Sequence, residues 1–214
     1  IETLYERENE SKERVLEMTV EELEHDLALC AEFRVPLVIT SLHAPHRVVE
    51  RVHDYGGRVF HDVTTLRHAH KAVDCGVDGL ILVSNGAGGH GGRLNPFAFV
   101  AEVRQMFDGP LVLAGGIGCG EQILAAQALG ADLVYMGTRF IASHEANAVE
   151  AYKRMVVDSR AADIVYSDLF TGVHGNYLRA SIERAGLDPD DLPSGDKGQM
   201  RYGSGGGSKP KAWR

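Results

Sequence analysis

The chain alternates between short, uninterrupted hydrophobic runs and longer stretches in which hydrophobic positions recur at helical spacing. A short apolar run bounded by turn residues predicts a buried strand, and a continuous one predicts a strand covered on both faces. The runs with this pattern are Val35–Leu42, Arg58–Val63, Gly79–Val83, Pro110–Ala114 and Leu133–Met136. Each is followed by a predicted helix, so the pattern indicates an α/β fold with a parallel sheet.

The stretches between these runs predict amphipathic or alanine-rich helices. The predicted helices are Thr19–Phe33, Arg47–Tyr55, Leu66–Cys75, Pro96–Met106 and Glu121–Leu129. Thr19 and Thr65 are suitable N-caps, and Gly130 stands where a helix end is expected. Such alternation suits either an open doubly wound sheet or a closed barrel, although five units are three fewer than a (β/α)8 barrel requires.

Two successive predicted strands end on glycine, at Gly115-Gly116 and at Gly137-Thr138. The strands belong to one βαβ unit, so their glycine ends should face the same side of the sheet. Backbone N–H groups at these positions, together with the Thr138 hydroxyl, predict a cradle for an anion such as phosphate. The alternative is that the glycines only make tight turns.

Two histidines follow predicted strands and are candidates for chemistry. His90 lies in the glycine-rich stretch 84–92, where it could face a ligand rather than solvent. The G-x-G-x-x-G pattern at 86–91 does not open a helix in a first βαβ unit, so it does not predict a Rossmann fold. His43 follows the first strand and could accept a proton, or could simply be polar at a strand end.

Other histidines suggest no metal site. His43 and His46 are three positions apart, but Pro45 lies between them and no carboxylate or cysteine completes a ligand set. Three further histidines are expected on the surface or on helix faces and are given no role: His61, His68 and His70.

Composition limits the partners and the compartment. The chain has 214 residues and a net charge of -8, which argues against a nucleic-acid partner or an anionic membrane. Cys30, Cys75 and Cys119 are odd in number and far apart, so they predict no disulfide framework and a reducing, cytoplasmic location. No apolar run approaches the roughly 20 residues of a membrane helix.

The C-terminal part predicts a different organisation. We expect residues 1–144 to form the (β/α) unit and residues 145–214 to form a helical and loop segment that caps a pocket. Ala142–Val157 predicts a helix, a second helix should end at Gly186, and Pro189–Ser208 should be a loop. Candidate pocket residues in the segment Asp163–Asp191 are Tyr166, Phe170, His174, Asn176 and Tyr177.

Three motifs together resemble those of the nitronate monooxygenase family, formerly called 2-nitropropane dioxygenases: AGGHGG, LAGGIGCGEQILAAQALGA and YMGTRF. The resemblance, which covers essentially 19–140, implies an FMN-dependent (β/α)8 TIM barrel of which about the last five βα units are present. The chain opens without Met, in keeping with an expectation that it is cut from a longer protein.

The resemblance also implies roles for individual residues. It assigns FMN-phosphate contacts to Gly115, Gly116, Met136, Gly137 and Thr138. It assigns the loop beside the flavin to Gly88 and Gly89, and the active-site histidine to His90. His43, in the pattern S-x-H formed with Ser41, matches the proposed base of the family.

The activity implied by the resemblance is oxidation of a nitronate or nitroalkane by O2 to a carbonyl compound and nitrite. Val83-Ser-Asn-Gly86 stands where the family often has glutamine, glycine and glutamate, so the substrate stays open. Because inosine monophosphate dehydrogenases and flavin-containing enoyl reductases share the GG and MGT parts, an NAD(P)H-dependent reductase of an enone or quinone is an alternative.

A noncatalytic flavin- or phosphate-binding barrel is another alternative. A flavin-free isomerase or aldolase is disfavoured because no lysine stands at a predicted strand end. We expect a small-molecule substrate and O2 as partners, and a homo-oligomer is left open.

Overall fold

The computed structural model describes residues 22–195. Its main sheet has five strands, all parallel, in the order β1-β2-β3-β5-β6. These strands are β1 (Leu37–Thr40), β2 (Arg58–Val63), β3 (Gly79–Val83), β5 (Leu111–Ala114) and β6 (Leu133–Tyr135). Neighbours in the sheet follow one another along the chain, as in a run of consecutive βα units of a (β/α)8 barrel, so the predicted fold class is confirmed.

One helix precedes β1, and one lies between each pair of neighbouring strands of the main sheet. The helices are residues 22–32 (α1), α2 (His46–Asp54), α3 (Leu66–Asp74), α4 (Pro96–Arg104) and α5 (Gly120–Leu129). Thr65 caps α3 by accepting a hydrogen bond from the His68 backbone N–H, and Gly130 ends α5 with φ of 105°. The predicted cap Thr19 lies outside the described residues.

The two faces of the sheet have different surroundings. One face packs against the helices through side chains that include Val59, Leu80 and Leu111, all fully buried. The other face carries a smaller cluster of Phe60, Ile81, Val112 and Ala114. Its edges are open, because Ile39 on β1 and Tyr135 on β6 are 49% and 52% exposed. The second face is therefore the concave, interior face of a barrel segment.

The connection after β6 corrects the predicted helix Ala142–Val157. Two helices, α6 (Thr138–Ile141) and α7 (Glu150–Asp158), are separated by non-helical residues 142–149. Lys153 Nζ donates to the Ser143 carbonyl at 2.7 Å. A side chain thus satisfies a carbonyl that a continuous helix would have bonded internally, which lets the chain leave the helical path.

A second sheet was not predicted from the sequence. Strands β7 (Ile164–Ser167) and β8 (Gly175–Leu178) are antiparallel, and β8 also pairs with β4 (Gly89–His90) inside the glycine-rich loop. The helix α8 (Arg179–Arg184) follows, and Gly186 with φ of 79° lies just beyond its end, as predicted. This sheet joins the C-terminal segment to the glycine-rich loop, while the division at residue 144 stays a prediction.

The three cysteines are free thiols. Within residues 22–195, no helix is long and apolar enough to cross a membrane. The same residues contain no group of three or more histidine, cysteine or acidic side chains arranged to hold a metal ion.

Candidate functional site

The glycine-rich loop after β3 is closed at its base by backbone hydrogen bonds. The Gly92 N–H donates to the Val83 carbonyl at 3.1 Å, and the Asn85 N–H donates to the Leu94 carbonyl at 2.9 Å. Ser84 is fully buried and its hydroxyl donates to the Ala114 carbonyl at 2.8 Å. The loop is therefore held against the end of β5, where the first predicted glycine pair begins.

Absent side chains let the ends of β3, β5 and β6 approach one another. Gly115 has φ of 127°, and a Cβ built there would lie 2.5 Å from Ser84 Oγ and 2.9 Å from the Asn85 carbonyl oxygen. A Cβ on Gly88 would collide with Thr138 Oγ1. The positive φ and the nearby Asn85 carbonyl require glycine at Gly115. At Gly88, the absent side chain leaves room for the Thr138 hydroxyl. The structure thus brings the predicted cradle and the predicted flavin loop together.

The cradle differs in one detail from the sequence-based expectation. The Gly116 N–H donates to the Gly86 carbonyl at 3.0 Å, so it is already used within the protein. Gly116 and Gly137 are exposed, and a Cβ at either position would meet no atom of residues 22–195 within 4 Å. Thr138 is half-buried beside Gly88. The backbone here leaves open space that a phosphate could fill. In sequence, Gly116 precedes α5 and Gly137 directly precedes α6.

Met136 and Gly89 are less exposed than Gly116 and Gly137. Met136 is half-buried directly before Gly137. Gly89 is buried, has φ of 80° and lies opposite Asn176 in the β4–β8 pair. Gly89 is therefore packed inside the glycine-rich loop, whereas Gly116 and Gly137 lie at the open edge of the predicted cradle.

His90 is held by the C-terminal segment. It pairs with Gly175 across β4 and β8, and its Nε2 lies 2.9 Å from Thr171 Oγ1. Two further contacts flank it: Asn176 Nδ2 donates to the Ala87 carbonyl at 2.7 Å, and the Tyr166 hydroxyl donates to the Gly91 carbonyl at 3.2 Å. The His90 loop is thus fixed on both sides by residues far away in sequence.

The aromatic pocket candidates divide into two groups. Tyr177 is 1% exposed and packs against Phe170 with ring centroids 4.5 Å apart, so it is a core residue. Tyr166 is partly exposed and stacks on His174 at 4.9 Å. Tyr166 and Asn176 contact the glycine-rich loop directly, as described above. Thr171 was missed because a single threonine in a loop carries no sequence signal.

His43 lies beyond β1 and is exposed. Its N–H donates to the Ser41 carbonyl at 3.0 Å, around Leu42 with φ of 76°. This three-residue turn is rare for a residue with a branched side chain and turns the backbone sharply before His43. His43 thus follows β1, whereas His90 lies in the loop after β3.

Asp62 lies near the end of β2 and shares the interior face of the sheet with Phe60. Ser41, from the S-x-H pattern, hydrogen-bonds the Asp62 side chain, and burial raises the pKa of this carboxyl. Its Oδ1 is buried without a hydrogen-bond partner among the described residues. A carboxyl with a raised pKa therefore lies next to the loop that carries Ser41 and His43.

The prediction that His61 lies on the surface is wrong. His61 is 5% exposed, and its Nδ1 lies 2.7 Å from Thr40 Oγ1. Alternation along β2 places it on the helix-covered face with Val59 and Val63. Burial lowers its pKa, and the nearby His68 lowers it further.

A cleft of about 800 Å³ lies between α7 and α8, apart from the predicted site residues. Its charged lining residues are Arg154, Asp158, Asp163, Arg179 and Glu183. Arg179 forms two hydrogen bonds with Asp190, each 2.8 Å long.

The family model and a curated relative point to the same family. Residues 5–185 match the model of the family described as nitronate monooxygenase. A protein of Staphylococcus saprophyticus named "Probable nitronate monooxygenase" is 31% identical over 181 residues, which cover 78% of this chain and 51% of the relative. The chain spans about half the length of the curated relatives it matches.

Two solved structures have a similar fold and sequence. Nitroalkane oxidase from Streptomyces ansochromogenes is 30% identical with a TM-score of 0.66, covering 73% of this chain and 48% of that chain. FabK from Thermotoga maritima is 28% identical with a TM-score of 0.66, covering 80% of this chain and 62% of that chain.

Proposed function

Because the chain belongs to the nitronate monooxygenase family, we propose that it acts as a flavin oxidoreductase that oxidises nitronates or nitroalkanes with O2. The products are a carbonyl compound and nitrite. The observation that supports this proposal is the meeting of three glycine-bearing strand ends with His90 held in the adjoining loop. Active sites of (β/α) barrels lie at this end of the strands.

FMN is the proposed cofactor, and it supplies reversible electron acceptance when bound. The residues proposed to hold its phosphate are Gly115, Gly116, Met136, Gly137 and Thr138. Gly88 and Gly89 are proposed to line the flavin. Since the Gly116 N–H already donates to the Gly86 carbonyl, Gly116 is proposed to provide space for the phosphate and no hydrogen bond. The missing Cβ atoms and the Thr138 hydroxyl fit a phosphate group.

The two histidines are proposed to do different work. His43 accepts the proton from the carbon next to the nitro group of a neutral nitroalkane, which leaves the nitronate anion. A nitronate supplied as substrate has already lost this proton. His90, when protonated on both ring nitrogens, donates a hydrogen bond to a nitro oxygen and stabilises its negative charge. His43 should therefore matter only for the neutral substrate, and His90 for both.

An NAD(P)H-dependent flavin reductase is the second candidate. The segment Val83-Ser-Asn-Gly86, which departs from the family pattern, lies at the base of the glycine-rich loop and favours keeping this alternative. The two activities differ in electron donor. Rapid bleaching of the flavin by NADH under nitrogen would support the reductase, whereas nitrite formation without NADH would support the monooxygenase.

The deciding experiment begins with the visible spectrum of the purified chain. Absorption bands near about 370 and 450 nm are expected of an oxidised flavin. Nitrite is then measured after addition of a nitronate in air, without NADH. A colourless protein that gains no colour when FMN is added would reject the cofactor assignment, and coloured protein that makes no nitrite would reject the substrate.

A further inference from the structure

His90 is oriented by a segment that belongs neither to its own loop nor to the main sheet. Strand β4 contains only Gly89 and His90, so it cannot define the ring position by itself. The ring instead meets Thr171, in the connection between β7 and β8, through the 2.9 Å contact from Nε2 to Oγ1. Both residues are partly buried, which limits competition from water.

The direction of this hydrogen bond follows from the other partners of Thr171. Thr171 Oγ1 lies 2.9 Å from the Val173 carbonyl oxygen, which can only accept, so the single hydroxyl hydrogen is donated there. The Val173 N–H also points to the same oxygen at 3.4 Å. The remaining interaction with His90 requires that Nε2 donate its hydrogen to Thr171.

We infer that Thr171 is a positioning residue that holds neutral His90 in the Nε2–H tautomer. The hydrogen-bond partners of the imidazole ring determine which of its two nitrogens carries the proton. The proton that His90 gains or loses on titration is then the one on Nδ1. This inference deepens the proposed function and rests on it only for the effect of the tautomer on turnover.

The tautomer can be measured without turnover. Two-dimensional ¹⁵N–¹H NMR of the histidine-labelled chain distinguishes the two neutral tautomers, and the spectrum of His90→Ala assigns the His90 signals. We expect Nε2–H in the wild type above the His90 pKa. A predominant Nδ1–H tautomer in the wild type would overturn the inference.

Two variants test the role of Thr171. Thr171→Val keeps the shape but removes the acceptor, so the His90 signals should show a mixture of tautomers. Thr171→Ser restores the hydroxyl and should restore the Nε2–H form. Circular dichroism of both variants checks that the fold is kept. If Thr171→Val folds and still shows only Nε2–H, Thr171 does not hold the tautomer.

Activity provides a separate readout. By analogy with other groups that orient a reactive side chain, Thr171→Val should lower kcat by roughly tenfold and change its pH profile, with rescue by serine. A fixed tautomer in a protein that makes no nitrite would leave the Thr171 role intact and reject the proposed function. Nitrite formation by a protein whose His90 tautomer is not fixed would support the proposed function and reject the role of Thr171.

Discussion

The glycine ends of the main sheet and the small second sheet both build the candidate site, but they differ in how the chain encodes them. Gly115 and Thr138 lie at the ends of neighbouring strands in one βαβ unit, so local patterns place them together. The second sheet joins His90 to Thr171 and Ala87 to Asn176, pairs that are 81 and 89 positions apart. Residues close in sequence thus form the predicted phosphate cradle, whereas residues distant in sequence position His90.

The largest expected effect separates the two histidines. His90→Ala should lower turnover of nitronate and nitroalkane alike by about 10²- to 10⁴-fold, the usual contribution of a positioned proton donor or acceptor. His43→Ala should lower turnover of the nitroalkane by a similar factor and leave nitronate turnover nearly unchanged. Steady-state nitrite release with both substrates measures this difference.

His70→Ala is the matched control for both variants, because His70 is exposed on α3. It should have wild-type activity. Equal losses for His43→Ala with both substrates would show that His43 is not a base for the neutral nitroalkane.

Gly115→Ala tests the region built by local sequence. The φ of 127° is strained for alanine, and the new Cβ would lie 2.5 Å from Ser84 Oγ. We expect a loss of about 2–4 kcal/mol in the free energy of unfolding, from backbone strain and overpacking together. Denaturant unfolding measures it.

Gly118→Ala is the control for that prediction. Its Cβ would meet only Gln122 Oε1, at 3.8 Å, which is an ordinary contact. Its stability should stay within about 1 kcal/mol of the wild type, the effect of a Gly-to-Ala change at a compatible position. Equal stability of the two variants would contradict the close approach of the strand ends.

Asn176→Ala tests the region built by distant sequence. Asn176 is 7% exposed and its Nδ2 donates to the Ala87 carbonyl, so the change leaves a buried acceptor without its donor. The free energy of unfolding should fall by about 1–3 kcal/mol. The loop that carries His90 should also loosen, which faster amide hydrogen exchange at Ala87 to Gly91 would reveal.

The exposed Asn147 provides the control, since Asn147→Ala lies in the connection between α6 and α7. It should change neither stability nor exchange in the loop. If Asn176→Ala leaves hydrogen exchange in the loop unchanged, the second sheet does not fix the His90 loop.

The same contrast explains how far the sequence could predict the molecule. The five strands and the glycine ends followed from hydrophobic runs and turn residues, and the barrel-like strand order followed from the resemblance. The family predicted from three motifs is confirmed. Strand β4 could not be predicted, because two residues in a glycine-rich loop carry no strand pattern. Nor could the role of Thr171, since it depends on a partner elsewhere in the fold.

His61 shows that local patterns can also mislead within the main sheet. It was expected on the surface or on a helix face, yet its position in β2 places it under the helices with 5% exposure. The alternation of Val59, His61 and Val63 contained the information. A polar residue in phase with buried ones should therefore be expected in the core.

The smallest predicted effect tests that burial through pH. Burial lowers the pKa of folded His61 below the ordinary value of about 6.5, so neither the folded nor the unfolded state is protonated well above that pH. As pH falls below about 6.5, the unfolded chain binds a proton that the folded protein resists, and stability is lost down to the folded pKa. His61→Gln should flatten the pH dependence of unfolding between about pH 7 and 5, whereas the exposed His70→Gln should not. An unchanged slope in His61→Gln would mean that His61 is accessible to protons in the folded state, and that this part of the main sheet opens more readily than its packing implies.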